Sequence, residues 1–270
     1  MKNYRFIHIS DIHFLENYSN DGFEALIAAK QHPKDNVVKA LSNEVKEGLD
    51  FILITGDLTH EGMESDYQAL NMLLKESAGE IPYIVLPGNH DRREAYCQGF
   101  LGIKPKENLD MVYVINGLRI ITLDTGDGKD GRLLKEQLNW LKEILSEPSE
   151  NGTILALHHP LLPNQEGLNC AEYDPGLIDI IRQSDIIGTF CGHTHRNFAS
   201  LFAGKPYFTS DSMSFSMTSK SDALQFEDNA AYNLVTLCDG VLSAKVKQVV
   251  PESAVIASFA LDKLSQLFSK

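Results

Sequence analysis

The sequence has few cysteines, no long apolar run and no basic stripe, and each of these absences excludes a class of protein. None of its hydrophobic runs reaches the ~18 to 20 consecutive apolar residues that a membrane-spanning helix needs. The N-terminus enters a predicted strand without the pattern of a signal peptide. The sequence therefore predicts a cytoplasmic protein without a membrane span.

The four cysteines lie far apart, at Cys97, Cys170, Cys191 and Cys238. They form neither the C-x-x-C pattern of a zinc site nor the density of a disulfide-rich secreted domain. We therefore expect reduced and mostly buried thiols.

The formal net charge of -13 argues against duplex nucleic acid as a partner, because the chain has no basic stripe to displace its counterions. Small phosphorylated substrates remain compatible with this charge. Bound divalent ions carry more local charge than the carboxylates around them, so they can reverse the sign of the field inside one cleft.

The length of 270 residues, 43% of them hydrophobic, supports a sizeable core, and we expect one domain over residues 1–270. Helical spacing between Asp35 and Gly48 indicates a β-α-β start, which predicts that the sheet begins parallel. Asn116-Gly117 predicts a hairpin turn, so antiparallel pairing enters in the middle of the chain. Beyond Gly192 the short strands indicate a second sheet, with a loop at 211–220.

The tail at 251–270 carries apolar residues at helical period after Pro251, from which we predict a C-terminal amphipathic helix. Packing of this helix on the chain's own sheet is the first interpretation. A homodimer contact is the alternative.

Five short polar clusters are the most informative feature that is present, and four of them directly follow an apolar, largely β-branched run. These runs are predicted strands, so the clusters lie where a strand gives way to a loop. Ligands bind at such positions in open α/β sheets. The clusters are Asp11-Ile12-His13, Gly56-Asp57, Gly88-Asn89-His90-Asp91, His158-His159-Pro160 and Gly192-His193-Thr194-His195.

The clusters offer the ligands of a metal site. Asp11 and His13 are two residues apart at a strand end, where the strand period points both side chains to the same side and lets them share one ion. Asp57 has two carboxylate oxygens, which makes it the natural candidate to bridge two cations. The other candidates, with an amide oxygen or imidazole nitrogens, are Asn89, His158, His193 and His195. This set without cysteine suits Mn, Fe, Zn or Co and predicts two ions.

Each motif alone is weak support for a metal site. An isolated His-x-His pair at a strand end is more often a hydrogen-bonding pair than a pair of ligands. The gathering of seven metal-competent side chains at one kind of position favours the metal interpretation. Within the fourth cluster His158 and His159 both remain candidates, because either imidazole could reach the metal.

Taken together, these motifs resemble the calcineurin-like metallophosphoesterase family across most of the chain. The runs 56–58, 86–91 and 191–195, and the Leu123-Asp124 strand end before the 137–141 helix, are most similar to its bacterial class III 3',5'-cyclic-nucleotide phosphodiesterase branch. The resemblance implies an α/β fold, a four-layer α/β/β/α sandwich of two mixed β-sheets known as the metallo-dependent phosphatase fold. It also implies two divalent or trivalent metal ions, Fe, Mn or Zn, as cofactors.

The resemblance further implies how the ligands are shared between the two ions, and it selects His158 over His159. The implied ligands of the first metal are Asp11, His13, Asp57 and His195. The implied ligands of the second metal are Asp57, Asn89, His158 and His193. Substrate contacts are implied for Asn89, His90 and His195.

The mechanism that the resemblance implies is two-metal phosphoryl transfer, in which a hydroxide bridging the ions attacks phosphorus in line. His90 is then the candidate general acid for the leaving alkoxide, with Asp91 fixing its tautomer. The alternative for His90 is a structural hydrogen bond within the turn. His60 and Glu61 are expected near the rim of the cleft. The arginines next to the motifs are expected in surface ion pairs; they are Arg92, Arg93 and Arg196.

The leading functional prediction is a dinuclear metal-dependent phosphodiesterase for a small phosphodiester or nucleotide, with a 3',5'-cyclic nucleotide as the first candidate. Glycerophosphodiester or phosphonate-ester diesterases and a phosphomonoesterase or nucleotide pyrophosphatase are the near alternatives, because the discriminating residues lie in loops. The alternative from another class is a binding module that keeps the fold without catalysis. The phosphoesterase-like subunit of retromer resembles such a module. Such proteins typically lose metal ligands, whereas every ligand position is filled here.

Overall fold

The computed structural model describes residues 2–19, 22–27, 31–126, 128–164, 168–250 and 254–263. Its strands are β1 (Tyr4–Ile9), β2 (Phe51–Thr55), β3 (Tyr83–Leu86), β4 (Met111–Ile115), β5 (Leu118–Leu123), β6 (Thr153–Leu157), β7 (Ile186–Cys191), β8 (Phe198–Phe202), β9 (Lys205–Thr209), β10 (Ser216–Ser219), β11 (Ala223–Glu227), β12 (Ala231–Cys238), β13 (Val241–Gln248) and β14 (Val255–Ala260). Its helices are α1 (Glu24–Ile27), α2 (Pro33–Val45), α3 (Glu64–Ala78), α4 (Arg93–Ala95), α5 (Lys135–Ile144) and α6 (Gly176–Gln183). A π-helical stretch (Tyr96–Leu101) continues α4, and a 3-10 turn (Leu261–Lys263) follows β14.

Two mixed sheets lie face to face, with strand orders β13-β12-β1-β2-β3 and β4-β5-β6-β7-β9-β8. Alternate residues of a strand point to opposite faces, so each sheet presents one apolar face to the other. Between the sheets, the rings of Phe6 and Phe51 stack with centroids 4.4 Å apart, and Phe6 meets Phe190 of the opposite sheet at 5.4 Å. The space between the sheets is therefore a buried apolar core, in which these aromatic rings pack among aliphatic side chains.

Helices cover the outer face of each sheet. Ile7 of β1 and Leu41 of α2 belong to one buried cluster, to which α3 also contributes. Leu155 of β6 and Leu141 of α5 belong to another, which includes residues of α6. The predicted four-layer α/β/β/α sandwich is confirmed.

The predicted order of pairing is confirmed in the first half of the chain. β1 pairs with β2 and β2 with β3, both in parallel. The hairpin of β4 and β5 is antiparallel, and its turn places Asn116 at φ 51° and Gly117 at φ 88°, in the left-handed region that this turn requires.

The expectation that the strands beyond Gly192 together form a second sheet was wrong for four of these seven strands, which join the two main sheets. β8 and β9 extend the sheet of β4 to β7, while β12 pairs antiparallel with β1 and brings β13 to the edge of the first sheet. A third sheet of three strands, β10-β11-β14, includes a strand within the predicted loop at 211–220. Strand pairing between segments that are distant in sequence depends on which sheet edges are available. Local sequence patterns contain no information about those edges.

The predicted C-terminal helix over 251–270 is also wrong where the structure describes it. Residues 255–260 form β14, which pairs antiparallel with β11, and the ring of Phe259 packs on Phe226 with centroids 5.6 Å apart. A short apolar run is compatible with both the helical and the strand period, and the available edge of β11 selects the strand. The alternative of a homodimer contact assumed a helical face, which residues 255–260 do not form. Residues 251–253 and 264–270 lie outside the described residues.

All four cysteines are free, with Cys97 and Cys191 buried, Cys170 half-buried and Cys238 exposed. This agrees with the expected reduced thiols. Within the described ranges, no helix has the length and apolarity that crossing a bilayer demands.

Candidate metal centre

The candidate ligands meet because each follows the carboxyl end of a parallel strand. β1, β2 and β3 of the first sheet carry three clusters, and β6 and β7 of the second sheet carry the other two. The loops after β1 and β2 are joined by a backbone hydrogen bond from His13 N to Asp57 O at 2.9 Å. The two sheets are joined where His193 N donates to Asp11 Oδ2 at 3.0 Å.

One group of ligands consists of Asp11, His13, Asp57 and His195, all buried, with one potential ligand atom from each lying within 4.8 Å of the others. His13 Nε2 lies 3.0 Å from His195 Nε2 and 3.6 Å from Asp57 Oδ2. His195 Nε2 lies 3.3 Å from Asp11 Oδ1. Two imidazole nitrogens and two carboxylates that converge in this way fit a cation of the Mn, Fe or Zn type.

A second group adjoins the first and consists of Asn89, His158 and His193. Asn89 Oδ1 lies 3.0 Å from His158 Nε2 and 3.0 Å from His193 Nδ1. His158 Nε2 also lies 3.4 Å from Asp57 Oδ2, the same oxygen that faces His13. One carboxylate oxygen thus stands between the two groups, as a bridge between two ions would. The residues present therefore fit a pair of ions.

His158 and His159, the two candidates of the fourth cluster, differ in where their rings lie. His158 faces the centre, whereas the Nδ1 of His159 lies 2.7 Å from Thr125 Oγ1 and its Nε2 is buried without a hydrogen-bond partner among the described residues. Burial lowers the pKa of His159 to about 3, and the neighbouring His158 contributes in the same direction. His159 is therefore a neutral side chain beside the centre, and the geometry favours His158 as the ligand.

Backbone carbonyls fix the tautomers of two ligand histidines. His158 Nδ1 lies 2.8 Å from Thr55 O, and His195 Nδ1 lies 2.8 Å from Phe215 O. A carbonyl only accepts, so each Nδ1 carries a hydrogen, and Nε2 is the nitrogen that each ring turns towards the centre. Such bonds orient metal-binding imidazoles and increase their basicity.

The carboxylate between the two groups is ionised. Burial would raise the pKa of Asp57, but the imidazoles of His158, His90 and His13 together hold it well below its ordinary value. Burial likewise would lower the pKa of His158, yet its carboxylate neighbour Asp57 raises that pKa to about 9. The centre thus holds a negative charge that a proton on His158 balances, and a bound cation would take over that role.

Backbone strain is concentrated at the ligands. Nine non-glycine residues of the described chain have positive φ, and five of them are candidate ligands. These five are Asp11 (φ 52°), His13 (φ 49°), Asp57 (φ 48°), His193 (φ 71°) and His195 (φ 47°). Each left-handed residue costs about 1–3 kcal/mol, and such costs persist where surrounding contacts impose them, typically at functional sites.

Gly88→Ala is expected to weaken metal binding by about tenfold or more, because a Cβ at this position would meet the backbone N and the Oδ1 of Asp57 and lie 2.8 Å from its Cγ. The backbone has to move and take Asp57 with it. Gly128→Ala is the matched control, since nothing lies within 4 Å of its added Cβ. Isothermal titration with Mn²⁺ measures both variants, and equal affinities would contradict the expectation.

The role predicted for Asp91 is wrong. Its oxygens accept hydrogen bonds from three backbone N–H groups and one hydroxyl, and none comes from His90. The donors are Leu58 N (3.0 Å), Thr59 N (3.1 Å), Gly88 N (2.8 Å) and Tyr67 Oη (2.8 Å). Asp91 is buried and holds the loops after β2 and β3 together, so it shapes the centre without orienting His90.

His90 lies at the mouth of the centre, with 22% of its side chain exposed. Its backbone N donates to Asp57 Oδ1 at 2.9 Å, and its ring Nδ1 lies 4.0 Å from Glu61 Oε1. The carboxylate available to this ring is therefore Glu61. The three arginines next to the motifs form the expected ion pairs, Arg92 with Glu61 (3.6 Å), Arg93 with Asp124 (2.7 Å) and Arg196 with Glu227 (3.4 Å).

Two contributions to the centre went unnoticed in the sequence. Ser212 and Ser214 donate to Asp11 O at 2.7 and 3.3 Å, so the segment predicted as a loop at 211–220 supports a candidate ligand. The rings of Phe23 and Phe215 pack against the imidazoles, with Phe215 4.5 Å from His195 between centroids. The accumulation of serine in 211–220 is a sequence signal for the first contribution.

A family model described as calcineurin-like phosphoesterase matches residues 4–197. A probable cyclic nucleotide phosphodiesterase of Rhodococcus erythropolis is 33% identical over 210 residues, which cover 74% of this chain and 67% of the relative. A cAMP/cGMP dual specificity phosphodiesterase of Mycobacterium tuberculosis is 32% identical, over 75% of this chain and 65% of its own length. A glycerophosphodiester phosphodiesterase of Enterobacter lignolyticus is 29% identical over 70% of this chain and 69% of its own.

Among solved structures, a dimetal phosphatase from Danio rerio superposes with a TM-score of 0.60. The superposition covers 94% of this chain and 98% of that chain at 13% sequence identity. This likeness shows the fold, which is that of the metallo-dependent phosphatases.

Proposed function

Since this chain belongs to the calcineurin-like phosphoesterase family and is a hydrolase acting on phosphoesters, we propose that it cleaves small phosphodiesters, with 3',5'-cyclic nucleotides as its substrates. Two relatives at 32% and 33% identity carry names of cyclic nucleotide phosphodiesterases, which supports this substrate class. A cytoplasmic location, expected from the sequence, is part of the proposal.

The observation that carries the proposal is the position of Asp57 between two groups of ligands. We propose that one ion is held by Asp11, His13, Asp57 and His195, and the other by Asp57, Asn89, His158 and His193. When bound, such ions polarise a phosphoryl oxygen and lower the pKa of a coordinated water. The chain itself contributes the fixed orientation of His158 and His195, in which Nδ1 meets a backbone carbonyl and Nε2 is the nitrogen that would give up its proton to an ion.

The proton for the leaving group is assigned to His90. Its ring is partly exposed and therefore accessible to substrate. Its backbone N–H donates to Asp57, so the position of His90 depends on the position of Asp57. Hydrolysis of a cyclic nucleotide releases an alkoxide, which needs a proton as the bond breaks. We propose that His90, Asn89 and His195 contact the substrate and that Glu61 balances the charge of a protonated His90.

The charges around the centre favour a diester over a monoester. Among the described residues, the arginines that flank the ligand motifs each face a carboxylate. They therefore offer little uncompensated charge to a phosphate, and the net charge of the chain is -13. A diester brings one negative charge to such a site, whereas a monoester brings about two.

A substrate panel tests the proposal. The protein, loaded separately with Mn, Fe or Zn, is expected to hydrolyse cyclic AMP or cyclic GMP and a bis-aryl phosphodiester at least about tenfold faster than an aryl monoester, for the electrostatic reason above. Product formation is followed by chromatography, with the metal-free protein as the control. Turnover of a glycerophosphodiester without turnover of either cyclic nucleotide would replace the proposed substrate, and a preference for the monoester would overturn the diesterase.

A further inference from the structure

His13 differs from His195 of its own group and from His158 of the second group in the partner of its outer ring nitrogen. Its Nε2 faces the centre, and its Nδ1 lies 3.4 Å from Nδ1 of His60, at the long end of hydrogen-bond distances. The corresponding nitrogens of His158 and His195 meet backbone carbonyls. Of these three contacts, that of His13 is the one made by a side chain, which a substitution can remove.

The contact fixes the tautomers of both rings. If the Nε2 lone pair of His13 is to be available to an ion, the hydrogen of the neutral ring is on Nδ1. A hydrogen bond between the two Nδ1 atoms then requires a lone pair on Nδ1 of His60, whose own hydrogen lies on Nε2. His60 is thus the acceptor that holds His13 in its ligand form.

His60 is well held for such a task. Its ring packs on that of His90 with centroids 4.7 Å apart and on that of Phe23 at 5.1 Å, each at an interplanar angle of 29°. Hydrogen bonds fix the loop on both sides of His60. Thr59 N donates to Asp91 Oδ1 at 3.1 Å, and Glu61 N donates to His90 O at 2.9 Å. One ring therefore touches a proposed ligand and the proposed general acid.

We propose that His60 is a positioning residue, which fixes the tautomer and orientation of His13 through Nδ1 and supports the ring of His90 through its face. This role rests on the proposed two-ion centre and adds a residue to it. Partners of this kind typically change metal affinity by 10–100-fold when they are removed. The two functions use different parts of the imidazole, so substitutions can separate them.

Two variants of His60 separate its function as a hydrogen-bond acceptor from the packing of its aromatic ring. His60→Asn places an amide oxygen near the position of Nδ1 but removes the aromatic face, whereas His60→Phe keeps the face and removes the acceptor. We expect His60→Phe to bind Mn²⁺ about 10–100-fold more weakly than wild type, and His60→Asn to stay within about threefold. His60→Asn is expected instead to lower kcat for an alkyl diester with little change in KM.

Metal affinity is measured by titration against a fluorescent chelator on the full chain, with the fold checked by circular dichroism and thermal melting of the metal-free protein. His32→Phe is the control, because it replaces a half-buried imidazole that packs on Phe14 and Tyr18, outside the ligand groups. If His60→Phe does not fold, His60→Leu serves as the variant without an acceptor.

The outcomes separate this inference from the proposed function. Wild-type affinity in His60→Phe, or equal losses in the Phe and Asn variants, would overturn the acceptor role while the two-ion centre stands. A wild-type protein that binds fewer than two ions per chain would instead remove the proposed centre, and the role of His60 with it. Weak binding in His60→Phe with recovery in His60→Asn supports the inference.

Discussion

Asp57→Ala is expected to reduce the metal content of the chain from two ions to one or none and to lower kcat/KM by roughly 10³-fold or more. Asp57 Oδ2 lies 3.6 Å from Nε2 of His13 and 3.4 Å from Nε2 of His158, so its removal takes a ligand from both groups at once. Its Oδ1 also accepts the backbone N–H of His90, so the same change releases the proposed general acid.

Elemental analysis after equilibrium dialysis gives the number of ions per chain, and initial rates on a bis-aryl phosphodiester give the activity. Asp57→Asn keeps one neutral oxygen at the same place and is expected to retain more metal than Asp57→Ala. Asp179→Ala is the control, because Asp179 is an exposed carboxylate of α6 that pairs with Arg182 in its own helix. An Asp57→Ala protein that still holds two ions per chain would sink the bridging assignment.

His90→Ala is expected to slow hydrolysis of a cyclic nucleotide by roughly 10²–10⁴-fold, while a nitrophenyl diester loses only about threefold. The difference arises because an alkoxide needs a proton as it leaves, whereas nitrophenolate is stable as an anion. The ring of His90 lies beside the bridge and is partly exposed, which places it within reach of a leaving group.

Glu61→Gln gives the second arm of this experiment. Glu61 Oε1 lies 4.0 Å from His90 Nδ1, so loss of its charge is expected to reproduce a small part of the defect on the cyclic nucleotide and none on the nitrophenyl diester. Gln98→Ala serves as the control, because Gln98 is exposed and its amide contacts Glu94. Equal losses on both substrates in His90→Ala would exclude His90 as the proton donor.

The pairing of His90 shows why sequence neighbours mislead at such a site. Asp91 is adjacent to His90 and was therefore the predicted partner, but its side chain lies in the interior and accepts four hydrogen bonds from elsewhere. Adjacent residues in a turn point in different directions. The nearby carboxylate belongs instead to Glu61, which the loop after β2 brings back to His90 through a backbone hydrogen bond at 2.9 Å.

The tail shows a limit of periodicity. Residues 255–260 carry apolar side chains at spacings that satisfy a helix, yet they form a strand because β11 offers an unpaired edge. β10 gives a second example, because a segment predicted as a loop forms a strand there by pairing with β11. Where a run is short, its conformation depends on a partner strand that lies far away in sequence.

The sequence by itself determined the set of candidate ligands and the central strands, because both follow from local order: an apolar run buries itself as a strand, and the polar residues after it lie at the strand's end. It also determined the parallel start of the first sheet and the hairpin at Asn116-Gly117. Only the tertiary structure decided that Asp57 stands between two groups, that His158 rather than His159 faces them, and that His60 meets His13. Those are distances between side chains on separate loops, and they exist only after two sheets have packed together.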